Sequence, residues 1–309
     1  MKRLYSLLLA MSLIMGACIP VRAMESTDPA PPLESETILP SEAEGVPAEV
    51  GTLEELQEAI DAAEDGDVIA ISQTMYIYGE TLSSDKDVTI VCAESFSASN
   101  MVKIYSGSII GLSFKGTTKS GLITTDIGAN DSVLIQDCTF DGMDTTTAVG
   151  IYGYTGSIAE IKGCEFKNCY INAVHALAQT NLIMEDCYVH DTYGIDATGA
   201  VQSSGTLALI NCDITRNTSF ANAGVFSSGV LSIGDCRIMG NTIMSPDMTA
   251  AVDICCIGTW SITDNPHDGA GYYNTATGEK VELPISQNNG IARLIYLSDE
   301  EAANYFAPK

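Results

Sequence analysis

Four side chains stand at one position of a short recurring strand, and their types suit ligand chemistry: His175, Gln202, Phe226 and Asp253. The strands are Ala173-Val174-His175-Ala176, Ala200-Val201-Gln202-Ser203, Gly224-Val225-Phe226-Ser227 and Ala251-Val252-Asp253-Ile254, preceded by Ala148-Val149-Gly150-Ile151. Alternation turns each Val inward, so the residue after it faces out. Imidazole, amide and carboxylate groups hydrogen-bond to polar ligands, and a phenyl ring offers a flat apolar face to a sugar. His175 has the chemistry of an acid or base. Asp253, three repeats further on, would lie about 14 Å away at normal strand spacing. Paired carboxylates in glycoside hydrolysis stand roughly 5 to 10 Å apart. The column is therefore expected to bind a ligand, with no catalytic residue assigned. An outward His is more commonly a solvated surface residue, and that reading stands beside the first.

Cysteine is the second chemical signal. Cys138, Cys164, Cys187, Cys212 and Cys236 follow one another at separations of 26, 23, 25 and 24 residues. In-register neighbours point in parallel, which does not suit a disulfide torsion. They are expected to be buried thiols acting as small hydrophobes. No metal is expected: apart from vicinal Cys255-Cys256, whose side chains would face opposite ways, no pair has a metal-site spacing. Asp137, Asp186 and Asp235 alternate with Gly163 and Asn211 at a bend, which accounts for them without calcium. His190-Asp191 and His267 read as turn residues. Asn217-Thr218-Ser219 fits a glycosylation pattern, but Asn217 is better explained as a turn. Nucleophile-elbow and phosphate-loop motifs are absent, and no cofactor is expected.

The elements that carry these residues follow from a repeat of about 25 residues. Its core copies are Leu134 to Phe140, Glu160 to Phe166, Ile183 to Val189, Leu209 to Ile214 and Ser232 to Ile238. Ile109 to Phe114 is an earlier copy with Leu112 at the Cys position, and Ile262 to Asn265 a decaying later one. The residue before the Cys runs Gly111, Asp137, Gly163, Asp186, Asn211, Asp235, Asp264, all types that tolerate left-handed backbone. The Cys and the residue two beyond it alternate inward, which predicts a strand. Stacked coils then place like residues in ladders about 4.8 Å apart. Leucine-rich repeats have a similar length, but their Leu-and-Asn signature is missing.

These features resemble the right-handed parallel β-helix of the pectate-lyase-like superfamily, over roughly residues 50 to 265. The expected fold is thus an all-β solenoid with an N-terminal capping helix and a C-terminal cap. Thr52 and Glu55 form a capping box for that helix, with Leu53, Leu56, Ile60 and Ala63 on one face and Gly66 as its stop. Trp260 to Leu283 and Ser298 to Phe306, most of them in the tail 265–309, resemble the closing segment of adhesin-like β-helix proteins on bacterial surfaces. The matching residues are Ile262-Thr263-Asp264-Asn265, Asn274, Gly278-Glu279-Lys280 and Ala303-Asn304-Tyr305-Phe306. Val281 to Leu283 and Ile291 to Leu297 read as strands that cover the last coil. The paired-Asp and Gly-His-Gly motifs of polygalacturonase relatives are absent.

The N-terminus reads as an export signal: Lys2 and Arg3, an apolar run from Leu4 to Ala17, then Val21-Arg22-Ala23 before a cleavage point. A rival is Met15-Gly16-Ala17-Cys18, which resembles a lipobox with Cys18 as a lipid anchor. Residues 24–49 read as a disordered acidic spacer, and no transmembrane segment is expected. The chain carries 14 basic and 40 acidic residues, a net charge of −26, which argues against nucleic acid and anionic lipid as partners. Together these readings favour a secreted or cell-surface protein with an adhesin-like or ligand-binding role, its partner a glycan or a host or cell-surface protein. The alternative is a carbohydrate-active enzyme, a polysaccharide lyase or glycoside hydrolase, acting around His175.

Overall fold

The corner before each cysteine sets the architecture. Gly111, Asp137, Gly163, Asp186, Asn211 and Asp235 all have φ between 50° and 68°, the left-handed region that glycine, Asn and Asp enter most cheaply. At Gly111 a side chain is also excluded by space, since a Cβ there would lie 2.2 Å from the carbonyl oxygen of Ser84. The computed structural model describes residues 49–116, 121–142, 147–194, 199–219, 222, 224–243, 252–263 and 270–307. The signal, most of the spacer, Asp264, Asn265 and His267 fall outside these residues.

One coil runs through Ser132–Gln136, the bend at Asp137, Thr139–Asp141 and Thr147–Ile151. The next repeats it as Ile158–Lys162, Glu165–Lys167 and Asn172–Ala176. Equivalent strands pair in parallel, as in Phe140 with Phe166 and Val149 with Val174. The result is an all-β, right-handed parallel β-solenoid. Its first two coils use longer strands, Met75–Cys92 and Asn100–Lys115, which run through the corners with shifts of register.

Like residues fill the interior as ladders. Leu112, Cys138, Cys164, Cys187, Cys212 and Cys236 are all buried. Each thiol turns back on the carbonyl two residues before it, at 3.1–3.3 Å for the five cysteines. None of the described cysteines is in a disulfide. Phe114, Phe140 and Phe166 stack at 5.5 and 4.8 Å, and Val189, Ile214 and Ile238 continue that column. Such offset stacks add to the burial of the rings themselves.

Helix α1, Leu53–Ala62, lies at the N-terminal end with Leu56 and Ile60 buried. Thr52 accepts from the Glu55 N–H and Glu55 accepts from the Thr52 N–H, a complete capping box. Lys86 donates to the carbonyls of Asp61 and Ala63 and so satisfies the other end. At the far end, Ile285–Ser298 runs antiparallel to the last coil strand, Ile254–Ile262, and Ala270–Asn274 pairs antiparallel with its second half. Val281 to Leu283 is not a strand. Pro284 follows it and lacks the N–H that a ladder needs. Ser298 caps a second helix, α2, Asp299–Tyr305, which the sequence reading did not assign.

Candidate functional site

Parallel register brings eight residues into one outward column: Tyr76, Lys103, Thr124, Gly150, His175, Gln202, Phe226 and Cys255. His175, Gln202 and Phe226 thus occupy adjacent rungs, and all three are partly exposed. Asp253 is not among them.

The correction at Asp253 has a clear cause. Val225 pairs with Ile254 and Phe226 with Cys255, so the last coil enters two residues later than the Ala-Val-Asp-Ile pattern suggests. Asp253 is instead buried, at 1% exposure. Its Oδ1 accepts the Asn241 N–H at 3.1 Å and the Asn241 Nδ2–H at 2.8 Å. Asn241 Oδ1 accepts the same two groups of Asn217, at 3.1 and 3.0 Å, and Asn217 Oδ1 accepts the Thr192 N–H. Asp253 is therefore the last rung of a buried amide ladder, and its likeness to an outward strand was a coincidence of residue types. Burial pushes its carboxyl up to about 6 against the pull of the Tyr296 and Asn241 donors. Asn217 is fully buried in the same ladder, just after the left-handed Arg216.

Around His175 the column opens into a cleft of about 220 Å³ lined by Asn100, Thr124, Thr147, Gly150, Tyr152 and His175. Gly150 makes the room, since a Cβ there would lie 3.1 Å from the Tyr152 ring. Thr124 donates to Asn100 Oδ1 at 2.8 Å, which leaves the Asn100 amide group turned toward other acceptors. Burial holds the His175 imidazole below its ordinary pKa, so at neutral pH it presents one donor and one acceptor.

The N-terminal end of the same face carries aromatics that the sequence reading passed over. Tyr76 and Tyr78 flank buried Ile77 and are exposed. Tyr78 stacks on Tyr105 at 4.5 Å with 8° between the rings. Lys103 lies 5.1 Å from the Tyr105 ring centre and 3.8 Å from Asp126. The Tyr-Ile-Tyr alternation was the available signal.

A charged cluster lies on the short strands that follow the cysteines, around Glu165, His190 and Arg216. His190 meets Asp191 through Nδ1 at 2.6 Å and Glu165 through Nε2 at 3.0 Å. Arg216 pairs with both Asp191 oxygens, at 3.2 and 2.9 Å, and Tyr188 stacks on the His190 ring at 4.0 Å. Asp191 does sit in a left-handed turn, with φ of 53°. The Arg216 guanidinium, before all else, pulls its carboxyl down to about 2. Both His190 ring nitrogens are engaged and the residue is buried, so the cluster ties coils together and offers no imidazole nitrogen to a substrate.

Among the described residues no group of three or more His, Cys, Asp or Glu is placed to hold a metal, and no helix is long and apolar enough to cross a membrane. No curated protein and no solved structure matches the chain. The family described as right handed beta helix region matches residues 120–291, more than half of the sequence, and the chain belongs to that family.

Proposed function

We propose that this protein is exported and acts at the cell surface or outside the cell as a glycan-binding, adhesin-like β-helix protein. Family membership fits a surface or carbohydrate-related role. The observation that carries the finer reading is the outward column, in which His175, Gln202 and Phe226 sit on successive rungs beside a polar cleft. Neutral imidazole, amide and hydroxyl groups next to an aromatic ring match a sugar, which has hydroxyl edges and apolar faces. Asp253, the one carboxylate considered as a partner for His175, is committed to the interior. Binding without cleavage is therefore the favoured reading.

The test is a glycan array probed with the purified chain and read twice, for retention and for released product. Retention without release is the expected result, lost in His175→Ala. Release of product from any glycan would replace binding with carbohydrate-active catalysis.

A further inference from the structure

We infer that Tyr78 and Tyr105, with Tyr76 beside them, form a stacking platform that holds a neutral oligosaccharide along this face. The inference rests on the glycan-binding reading above and specifies where and what that face binds.

Position comes first. Tyr76 and His175 stand in one column, separated by four strand spacings, or about 19 Å. The platform and the cleft are thus two ends of one strip that crosses the coils, long enough for several sugar rings. Tyr152 borders the cleft and is exposed.

Exposure is the second point. Tyr78 is 61% and Tyr76 49% exposed, although buried Ile77 between them shows that the strand has an interior for apolar groups. The Tyr78 and Tyr105 rings are parallel and in contact and Lys103 lies over Tyr105, so Tyr105 backs the exposed Tyr78 ring and holds it in orientation, and Tyr78 offers the stacking face. A rigid ring presented this way costs little conformational entropy to use.

Charge selects the ligand class. Lys103, which sits next to Tyr76 in the column, is drawn over Tyr105 and toward Asp126. Glu80 is turned back on the Tyr78 N–H at 2.6 Å. The ammonium thus has a carboxylate beside it, and the whole chain carries −26. A polyanionic glycan would be repelled at long range, whereas a neutral pyranose meets aromatic faces here and hydrogen-bonding groups at Asn100, Thr124 and His175.

The experiment is calorimetric titration of the purified chain with hexasaccharides of glucose, xylose, mannose and N-acetylglucosamine, and with hexagalacturonate. At least one neutral hexasaccharide is expected to bind with little dependence on salt. The double variant Tyr78→Ala, Tyr105→Ala is expected to weaken it about tenfold. Tyr78→Phe, which keeps the ring, is expected to stay within about twofold of the parent. Thermal melts of each variant confirm that the solenoid is intact. A ligand lost in His175→Ala but held normally by the double variant would overturn the platform and leave the glycan face standing. Salt-sensitive binding of hexagalacturonate in preference to the neutral sugars would overturn the ligand class. Failure of the parent chain to bind any of the five would overturn the platform and the glycan reading together.

Discussion

Asp253 Oδ2 accepts the backbone N–H of Tyr296 at 2.9 Å, across 43 residues of sequence. The other oxygen of the same carboxylate ends the Asn217–Asn241 ladder. One side chain therefore fastens the closing strand to the last coils. Asp253→Ala would leave three N–H groups without this acceptor, and a loss of about 3 kcal/mol is expected. Chemical denaturation of parent and variant measures it.

The same carboxyl gives a pH dependence. Its folded pKa, about 6, lies above the ordinary value of 3.8, so the folded chain binds the proton more tightly than the unfolded one. This contribution is full below about pH 4 and is lost as the pH rises through about 6. Its span is ~3 kcal/mol. The stability of the parent relative to Asp253→Asn is expected to fall between pH 4 and pH 6.5. An unchanged difference across that range would contradict the shift.

Phe140 stands between Phe114 and Phe166 with no polar neighbour in its column. Phe140→Ala is expected to cost about 3–5 kcal/mol. Phe140→Asp places a charge in an unpaired interior position and is expected to abolish the cooperative melt. Retention of that melt would show that the column is not in the core.

Arg216 lowers the Asp191 carboxyl to about 2. Removing it in Arg216→Ala is expected to return Asp191 toward its usual range, which an NMR titration of the carboxyl carbon reads directly. The sign runs opposite to Asp253: a lowered folded pKa helps stability above about pH 4 and is lost as the pH falls toward 2. Because both groups are well exposed, the stability change at neutral pH is expected to be small.

The thiol ladder predicts a labelling pattern. Cys92 is partly exposed and the other described cysteines are buried. Burial pushes Cys92 up to about 11 and Cys169 up to about 12, which suppresses the reactive thiolate. Native protein at pH 8 is expected to react slowly with iodoacetamide, Cys92 first, and the ladder cysteines only on global unfolding. Mass spectrometry of timed samples would reveal early ladder labelling, which would refute the packing.

The coils were legible in sequence because each one repeats two demands at fixed spacing. A left-handed residue must precede the Cys, and an apolar residue must follow two positions later. Helix α1 was legible from Thr52 and Glu55; the identical signal at Ser298 and Glu301 marks α2 and went unused. Asp253 was misread because a strand's face depends on where its pairing begins, and the residue types alone do not mark that point. The tyrosine platform was passed over because its coils lack the cysteine that marks the others. Their long strands also shift register at Tyr78, which blurs the alternation. The Glu165–His190–Arg216 cluster joins residues about 25 apart, a proximity visible only once the coils are stacked.

The antiparallel closing strand sets a rule for how this molecule can change in length. A bare parallel rung would accept another parallel rung, from a duplicated coil or from a second molecule. Ile285–Ser298 occupies that rung and hands on a different hydrogen-bond spacing. Growth at the C-terminal end is thereby closed, while an extra coil inserted in the middle leaves that end undisturbed. Each insertion between the Tyr76 and His175 rungs would lengthen that strip by one strand spacing, about 4.8 Å. The solenoid is a ruler with a fixed closing end and an adjustable middle, and the length of its outward strip can be tuned one rung at a time.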